Sequence, residues 1–286
     1  MKFLSTVVTL ALYSAVLVSG ACDDVADGFE PLNGGTTGGR GGTVVTVSNV
    51  ADLRKYATSS GKYIIKVAGT VTVTPAGEEI KVASDKTIVG VGNNAAIQNG
   101  GFGIHNVKNV ITRKLRITNP GDADTSDHDG IQADTSSNIW IDHCHFESGG
   151  DGLVDLRKDT TFYTVSYNIF RNHDKTLGIG WTENVSAQAS IHHNWFDKTN
   201  QRNPSADNLR YVHLYNNYLT SVTSYGHYAR GATEARVENV YFSNTRNPLT
   251  ADGNAKLAAN GNTYQSCSGT IALNKGTVFN ASTFYI

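Results

Sequence analysis

Residues 141–146 read IDHCHF, and the same pattern returns in VSYNIF (165–170), IHHNWF (191–196), LYNNYL (214–219), VENVYF (237–242) and ANGNTY (259–264). Each copy begins with an apolar or small residue and ends with a large one. The fourth position of the copies recurs at steps of 24, 26, 23, 23 and 22 residues. Short segments rich in Thr, Tyr, Val and Ile that repeat at this period predict a parallel β-solenoid. A β-sandwich also has short strands, but it gives no reason for period and residue type to recur together.

The fourth position of the repeat is Asn in most copies, and Cys144 and Val240 replace it in two. Stacked coils would place this residue at an inner bend, where an amide can hydrogen-bond the turn and the next Asn along the stack. The two substitutions indicate a buried position. We therefore expect Cys144 to be a buried thiol rather than a reactive one.

Length and composition fit one solenoid domain without a linker. The 286 residues include 29 Gly and 5 Pro, and strand-like runs also occur between residues 63 and 91. Residues 52–57 could form a helix that caps the first coil. With 24 basic and 25 acidic residues, the net charge of −1 argues against a nucleic-acid binder held by bulk charge.

The N-terminus has the features of a secretory signal over residues 1–20: Lys2, an apolar stretch to Val18 and small residues around Gly20. A membrane anchor is the alternative, but this apolar stretch is short. We expect a β-helix domain over 21–286 that is secreted, extracellular and monomeric, and that binds neither nucleic acid nor membrane. The three cysteines at 22, 144 and 267 allow at most one internal disulfide.

Four charged residues are spaced like the repeat: Asp127, Asp151, Lys175 and Arg202 lie 24, 24 and 27 residues apart. If each interval is one coil, they form a column of two acidic and two basic side chains, about 4.8 Å apart. Such a column would hold a cation and bind an anionic polymer.

The acidic half of the column is extended by Asp129 and Asp155. Two carboxylates about 4.8 Å apart repel each other by about 3 to 4 kcal/mol at an effective dielectric constant of 20. A divalent cation would remove this repulsion, and Ca²⁺ fits best because it takes six to eight oxygen ligands in loose geometry. The alternative is that these aspartates only stabilise turns.

The segments that carry these charges resemble a known family. They are Trp140-Ile-Asp-His143, Asp151-Gly-Leu-Val-Asp155, Val165-Ser-Tyr-Asn168, His173-Asp-Lys175, His192-His-Asn194 and Arg202-Asn-Pro204. In this order they resemble the signature segments of pectate lyases of polysaccharide lyase family 1, from about Gly34 to the C-terminus. The resemblance implies a right-handed parallel β-helix and a secreted, calcium-dependent enzyme with a groove for polygalacturonate.

By motif match, the resemblance also implies roles for individual residues. It gives Arg202 as the catalytic base, Lys175 as a ligand of the substrate carboxylate, and Asp127, Asp129, Asp151 and Asp155 as calcium ligands. The sequence departs from the family pattern at Asp207, where the best-known members have a second, substrate-binding arginine. Arg210 or Arg230 is a candidate for the missing charge, and Tyr225 and Tyr228 are candidates for lining the groove.

The resemblance implies cleavage of polygalacturonate by β-elimination, and an arginine base predicts an alkaline activity optimum because a guanidinium is normally protonated. A pectin lyase on the same fold is an alternative, but its neutral substrate would leave the acidic cluster without a purpose. A polygalacturonase would leave Lys175 and Arg202 unexplained. The third alternative is a carbohydrate-binding β-helix without activity, and Asp207 is its best support. The histidines at 143, 192 and 193 are expected to pack on strands rather than bind metal.

Overall fold

The computed structural model describes residues 25–121 and 127–285, and these residues are coiled into a parallel β-solenoid of about nine turns. One α-helix, α1 (Val50–Thr58), and one 3-10 turn (Ala281–Thr283) accompany the strands. The strands are β1 (Thr43–Val47), β2 (Tyr63–Thr72), β3 (Glu78–Lys81), β4 (Lys86–Gln98), β5 (Gly100–His105), β6 (Lys108–Arg113), β7 (Arg116–Asn119), β8 (Ile131–Asp134), β9 (Ser137–Asp142), β10 (His145–Gly149), β11 (Gly152–Arg157), β12 (Thr161–Ser166), β13 (Ile169–Arg171), β14 (Lys175–Gly180), β15 (Gln188–His192), β16 (Trp195–Asp197), β17 (Ser205–Asp207), β18 (Tyr211–Tyr215), β19 (Tyr218–Thr220), β20 (His227–Arg230), β21 (Glu234–Glu238), β22 (Tyr241–Ser243), β23 (Leu249–Ala251), β24 (Lys256–Asn260) and β25 (Thr263–Gln265).

Successive coils contribute strands to three parallel stacks. One stack is a separate eight-stranded sheet in the order β3-β5-β8-β11-β14-β17-β20-β23. The other two stacks run from β6 to β24 and from β7 to β25, and the long strands β2 and β4 join them into one sheet. The predicted parallel β-helix is confirmed, and side chains from neighbouring coils lie one strand spacing apart.

The repeated Asn forms the predicted ladder inside the solenoid. Asn168 donates from its backbone N–H and its side chain to Oδ1 of Asn194, each at 3.0 Å, and Asn194 bonds Asn217 in the same way. The backbone N–H of Cys144 donates to Asn168 at one end of this ladder. The Cys144 side chain is 2 % exposed, and burial raises the pKa of its thiol to about 12, so the expected buried thiol is confirmed.

Helix α1 begins at an Asn cap and covers the first coils. The Asn49 side chain accepts a hydrogen bond from the N–H of Asp52 at 2.9 Å, which satisfies one of the free N–H groups at the helix start. Leu53 and Ala57 are fully buried against the solenoid core. The predicted capping helix over 52–57 lies within this element.

Residues 25–42 run along the outside of the large sheet, a feature that the repeat does not predict. The N–H of Phe29 donates to Ser190 at 3.1 Å, and Asn109 accepts from the N–H groups of Thr37 and Gly38. The Phe29 ring packs against Phe279, Phe284 and Tyr285 of the C-terminal segment. The two ends of the described chain therefore meet on this sheet.

A buried carboxyl in this N-terminal segment predicts a loss of stability at alkaline pH. Glu30 is fully buried, and its carboxyl oxygens have no hydrogen-bond partner within the described residues. Burial, with a contribution from the charge of Asp27, raises its pKa from 4.5 to about 8. The folded protein therefore keeps a proton that the unfolded chain has lost, and the free energy of unfolding falls by about 1.4 kcal/mol per pH unit between these values.

Replacing Glu30 by Gln keeps the shape of the side chain and removes the titration. We expect Glu30→Gln to raise the melting temperature more at pH 9 than at pH 5, with a difference in unfolding free energy of up to about 5 kcal/mol between the two pH values. Thermal unfolding of both proteins at pH 5, 7 and 9 measures this difference. A gap that does not change with pH would contradict the assignment.

The remaining expectations about topology concern segments that the structure covers only in part. The predicted signal over 1–20 and Cys22 lie outside the described residues. Cys144 and Cys267 are both free thiols. Within 25–121 and 127–285, no helix has the length and apolar character needed to cross a membrane.

Candidate active site

The predicted site residues lie where the chain enters successive strands of the eight-stranded sheet. Asp127 and Asp129 precede β8, Asp151 precedes β11, Lys175 is the first residue of β14, and Arg202 precedes β17 by three residues. Parallel pairing of these strands brings the entry points together because each coil repeats the same path.

Three carboxylates meet at this edge. Asp127, Asp129 and Asp151 each offer an oxygen, and these oxygens all lie within 4.8 Å of one another. Asp127 is exposed, Asp129 is fully buried and Asp151 is intermediate. The side-chain amide of Gln132 donates to Oδ2 of Asp127 at 2.9 Å and to Oδ2 of Asp129 at 3.1 Å. Gln132, which the repeat did not single out, therefore holds two of the three carboxylates side by side.

The cluster carries more negative charge than its direct neighbours neutralise. Burial raises the pKa of Asp129 to about 6; the hydrogen bond from Gln132 opposes this rise, and the charge of Asp127 adds to it. Converging carboxylate oxygens without His or Cys form a donor set that suits a hard cation such as Ca²⁺. The residues present therefore fit the predicted cation.

Asp155 has a different environment from the other three. It is fully buried, accepts a hydrogen bond from the N–H of Gly178 at 3.0 Å, and lies 3.3 Å from Arg202. Burial and the charge of Asp129 raise its pKa. Gly152 separates the two aspartates, since a Cβ there would lie 2.8 Å from Oδ1 of Asp129 and 3.1 Å from Oδ1 of Asp155. A role for Asp155 as a fourth ligand stays a prediction.

The two cations contact the acidic cluster directly. The ammonium of Lys175 pairs with Asp151, and Nη1 of Arg202 lies 3.6 Å from Oδ2 of Asp151. The column is staggered, however: Gly152 is the register partner of Lys175, and Gln201 forms the bridge to Lys175 on the other side. The prediction of one shared phase was wrong by one residue at each step, because the coils here repeat after 23 and 26 residues. Long side chains still close the gap.

The other predicted substrate-binding residues are spread over two surfaces. The backbone of Tyr225 is next to Asn200 and Asn203, one coil beyond Arg202, and its ring contacts that of Tyr228 at 5.1 Å. Arg230 is the register partner of Asp207 in β20, beside the residue that departs from the family pattern. Arg210 is exposed in front of β18 and stacks on Tyr211, whose ring packs on Phe279. Its placement on the large sheet gives no support to a role beside the acidic cluster.

Two further charged residues at the site escaped the repeat-based reading. Arg157 lies 3.1 Å from Asp127 and 3.1 Å from Asp134, and burial weakens but does not cancel the rise in its pKa that these carboxylates cause. Glu79 accepts a hydrogen bond from the N–H of Asp129 at 3.0 Å, and burial raises its pKa to about 8. Both contacts cross between coils, so only the fold reveals them.

These features define a parallel β-helix protein in which a cluster of carboxylates faces two cations along one sheet. The family model described as pectate lyase matches residues 1–285. The chain therefore belongs to the pectate lyase family.

Individual relatives agree with this assignment. The chain is 37 % identical over 237 residues to a pectate trisaccharide-lyase of Thermotoga sp., covering 75 % of this chain and 64 % of that protein. It is 33 % identical over 269 residues to pectate lyase E of Dickeya chrysanthemi, covering 77 % of this chain and 70 % of the relative. The chain thus spans slightly less than two thirds of the length of the Thermotoga relative.

A solved structure of similar fold is a pectate lyase from a Bacillus species in complex with trigalacturonate. It superposes with a TM-score of 0.75 at 29 % identity, over 89 % of this chain and 91 % of the other.

Proposed function

We propose that this protein is a secreted, calcium-dependent pectate lyase that cleaves polygalacturonate, the de-esterified form of pectin, by β-elimination. The observation that carries the proposal is the grouping of three carboxylates within 4.8 Å, in contact with Lys175 and Arg202, in a chain of the pectate lyase family. The carboxylates suit a cation, and the cations suit an acidic sugar.

Asp127, Asp129 and Asp151, with Asp155 as a further candidate, would hold the calcium ion. When bound, calcium supplies a positive charge that attracts the sugar carboxylate and makes the neighbouring C5 hydrogen more acidic. Lys175 donates to the same sugar carboxylate and offsets the negative charge that develops during reaction. Gln132 keeps the carboxylates of Asp127 and Asp129 adjacent.

Arg202 is the candidate base, and it reaches the site from the strand after that of Lys175. It takes the C5 proton, the electrons of the C5–H bond form the C4–C5 double bond, and the bond from C4 to the glycosidic oxygen breaks. The leaving oxygen then gains a proton from solvent. The products are an unsaturated sugar at the new non-reducing end and a shortened chain, and no water is consumed.

The direct test incubates the secreted protein with polygalacturonate and with highly esterified pectin, each with calcium and with a chelator. We expect ultraviolet absorbance from the unsaturated product only for polygalacturonate with calcium. Preference for esterified pectin with no need for calcium would indicate the pectin lyase alternative. Chain shortening without new absorbance would indicate a hydrolase, and binding without cleavage would indicate a carbohydrate-binding protein. N-terminal sequencing of the secreted protein should begin at Ala21 or Cys22.

The proposed role of Lys175 predicts a large loss when its charge is removed. We expect Lys175→Met to lower kcat/KM on polygalacturonate by at least about 100-fold, because the substrate carboxylate loses a charged hydrogen bond in both the ground state and the transition state. Steady-state kinetics at saturating calcium measure this loss. A matched control is Lys158→Met, which removes an exposed lysine that pairs with Asp134. Equal activities of the two variants would contradict the role.

A further inference from the structure

Trp181 lies at the site through an unusual backbone conformation. It follows β14 directly, and its φ of 51° and that of Gly180, 88°, both lie in the left-handed region. Large aromatic residues rarely adopt this conformation, and such strain is concentrated at functional sites. The Trp181 N–H donates to the carbonyl of Asp207 at 3.1 Å, which fixes the turn to the next coil.

The turn directs the indole back over β14. A Cβ at Gly178 would lie 2.8 Å from Cη2 and Cζ2 of Trp181 and 2.6 Å from Oδ1 of Asp155. The indole and the Asp155 carboxylate therefore approach Gly178 on the side where a side chain would project. Any other residue at position 178 would displace one of them.

The indole also contacts the candidate base. The guanidinium carbon of Arg202 lies 4.3 Å from the centre of the Trp181 ring, within the range of a cation–π contact. The other charged contacts of this guanidinium are Asp155 at 3.3 Å and Asp151 at 3.6 Å. Both carboxylates are also candidate cation ligands, so the indole is the neighbour of Arg202 whose contact does not compete with metal binding.

Two other Trp–Arg pairs show what the contact does elsewhere in the molecule. Arg113 lies 4.3 Å from the ring of Trp140, and Arg171 lies 4.8 Å from that of Trp195. Each of these arginines also bonds an aspartate and belongs to the large sheet. They hold their arginines in place without any link to the acidic cluster. The Trp195 pair therefore provides a matched control.

We propose that Trp181 is a positioning residue for Arg202, which holds the guanidinium over Gly178 in the orientation needed to reach C5 of the sugar. This inference rests on the proposed function of the site. It assigns Trp181 a part in turnover rather than in substrate or calcium binding, because the indole contacts neither Lys175 nor the three-carboxylate cluster in any described interaction.

The test compares Trp181→Phe, which keeps an aromatic face, with Trp181→Leu, which keeps bulk only. We expect Trp181→Leu to lower kcat on polygalacturonate about tenfold, and Trp181→Phe to retain at least about half of the wild-type value. KM and the calcium dissociation constant, measured by calorimetry, should stay within about twofold of wild type in both. The control Trp195→Leu should leave kcat unchanged.

Equal kcat values for the Phe and Leu variants would overturn the inference, as would a parallel change in KM or in calcium affinity. If Trp181→Leu does not fold, Trp181→Phe and Trp181→Tyr decide the matter, because both should retain turnover and a tenfold loss in either would contradict the role. A wild-type protein that fails to cleave polygalacturonate would instead overturn the proposed function.

Discussion

Arg202→Lys should lower kcat on polygalacturonate by at least about 1,000-fold, while calcium-dependent binding of the polymer survives. General base catalysis contributes about 100- to 10,000-fold in enzymes, and a shorter ammonium cannot occupy the place of the planar guanidinium. The positive charge is retained, so attraction for the acidic polymer remains. The measurement pairs steady-state turnover with calorimetric binding of oligogalacturonate. Near-normal turnover would remove Arg202 from the role of base.

The same assignment predicts how the rate depends on pH. A guanidinium releases its proton only at high pH, so activity should rise as the pH increases above 7. Rates of product formation between pH 5 and pH 10, at saturating calcium, give the profile. A maximum near pH 5 with a decline above pH 7 would count against an arginine base. Because Glu30 lowers stability over the same range, each assay should be short compared with the unfolding time at that pH.

The second large effect concerns the cation. Asp129→Asn should raise the calcium dissociation constant by at least about 100-fold, because it removes one charge from three converging carboxylates and breaks the arrangement that Gln132 holds. Raising the calcium concentration should restore part of the activity, since Lys175 and Arg202 are unchanged. Calorimetric titration with calcium and assays over a range of calcium concentrations measure both effects.

The matched control for this variant is Asp159→Asn. Asp159 is a carboxylate outside the cluster that accepts hydrogen bonds from Thr182 and Asn184. Its loss should leave calcium affinity unchanged. If Asp129→Asn and Asp159→Asn bind calcium equally well, the three-carboxylate cluster is not the metal site.

The repeat in the sequence predicted the solenoid because each coil solves the same local problem. The Asn ladder from Asn168 to Asn217 is visible in the sequence, since one residue type returns at one position of each coil. The charged column could be predicted approximately for the same reason. Its stagger could not, because the number of residues in the turns between β11, β14 and β17 changes from coil to coil.

Contacts between residues without a periodic spacing required the fold. Gln132 and Glu79 reach the carboxylates from positions that no repeat marks. The path of residues 25–42 across the large sheet is likewise a long-range contact with no sequence period. Arg210 shows the opposite error: closeness in sequence to Arg202 suggested a shared site, but the chain turns into the large sheet between them.

The most direct test of the central claim is a crystal structure of Arg202→Lys with calcium and trigalacturonate, since this variant should bind substrate without cleaving it. The account predicts a calcium ion about 2.3 to 2.6 Å from oxygens of Asp129 and Asp151 and from a sugar carboxylate, with Lys175 on the same sugar. A calcium ion bound elsewhere, or a sugar chain that does not touch the eight-stranded sheet, would contradict it.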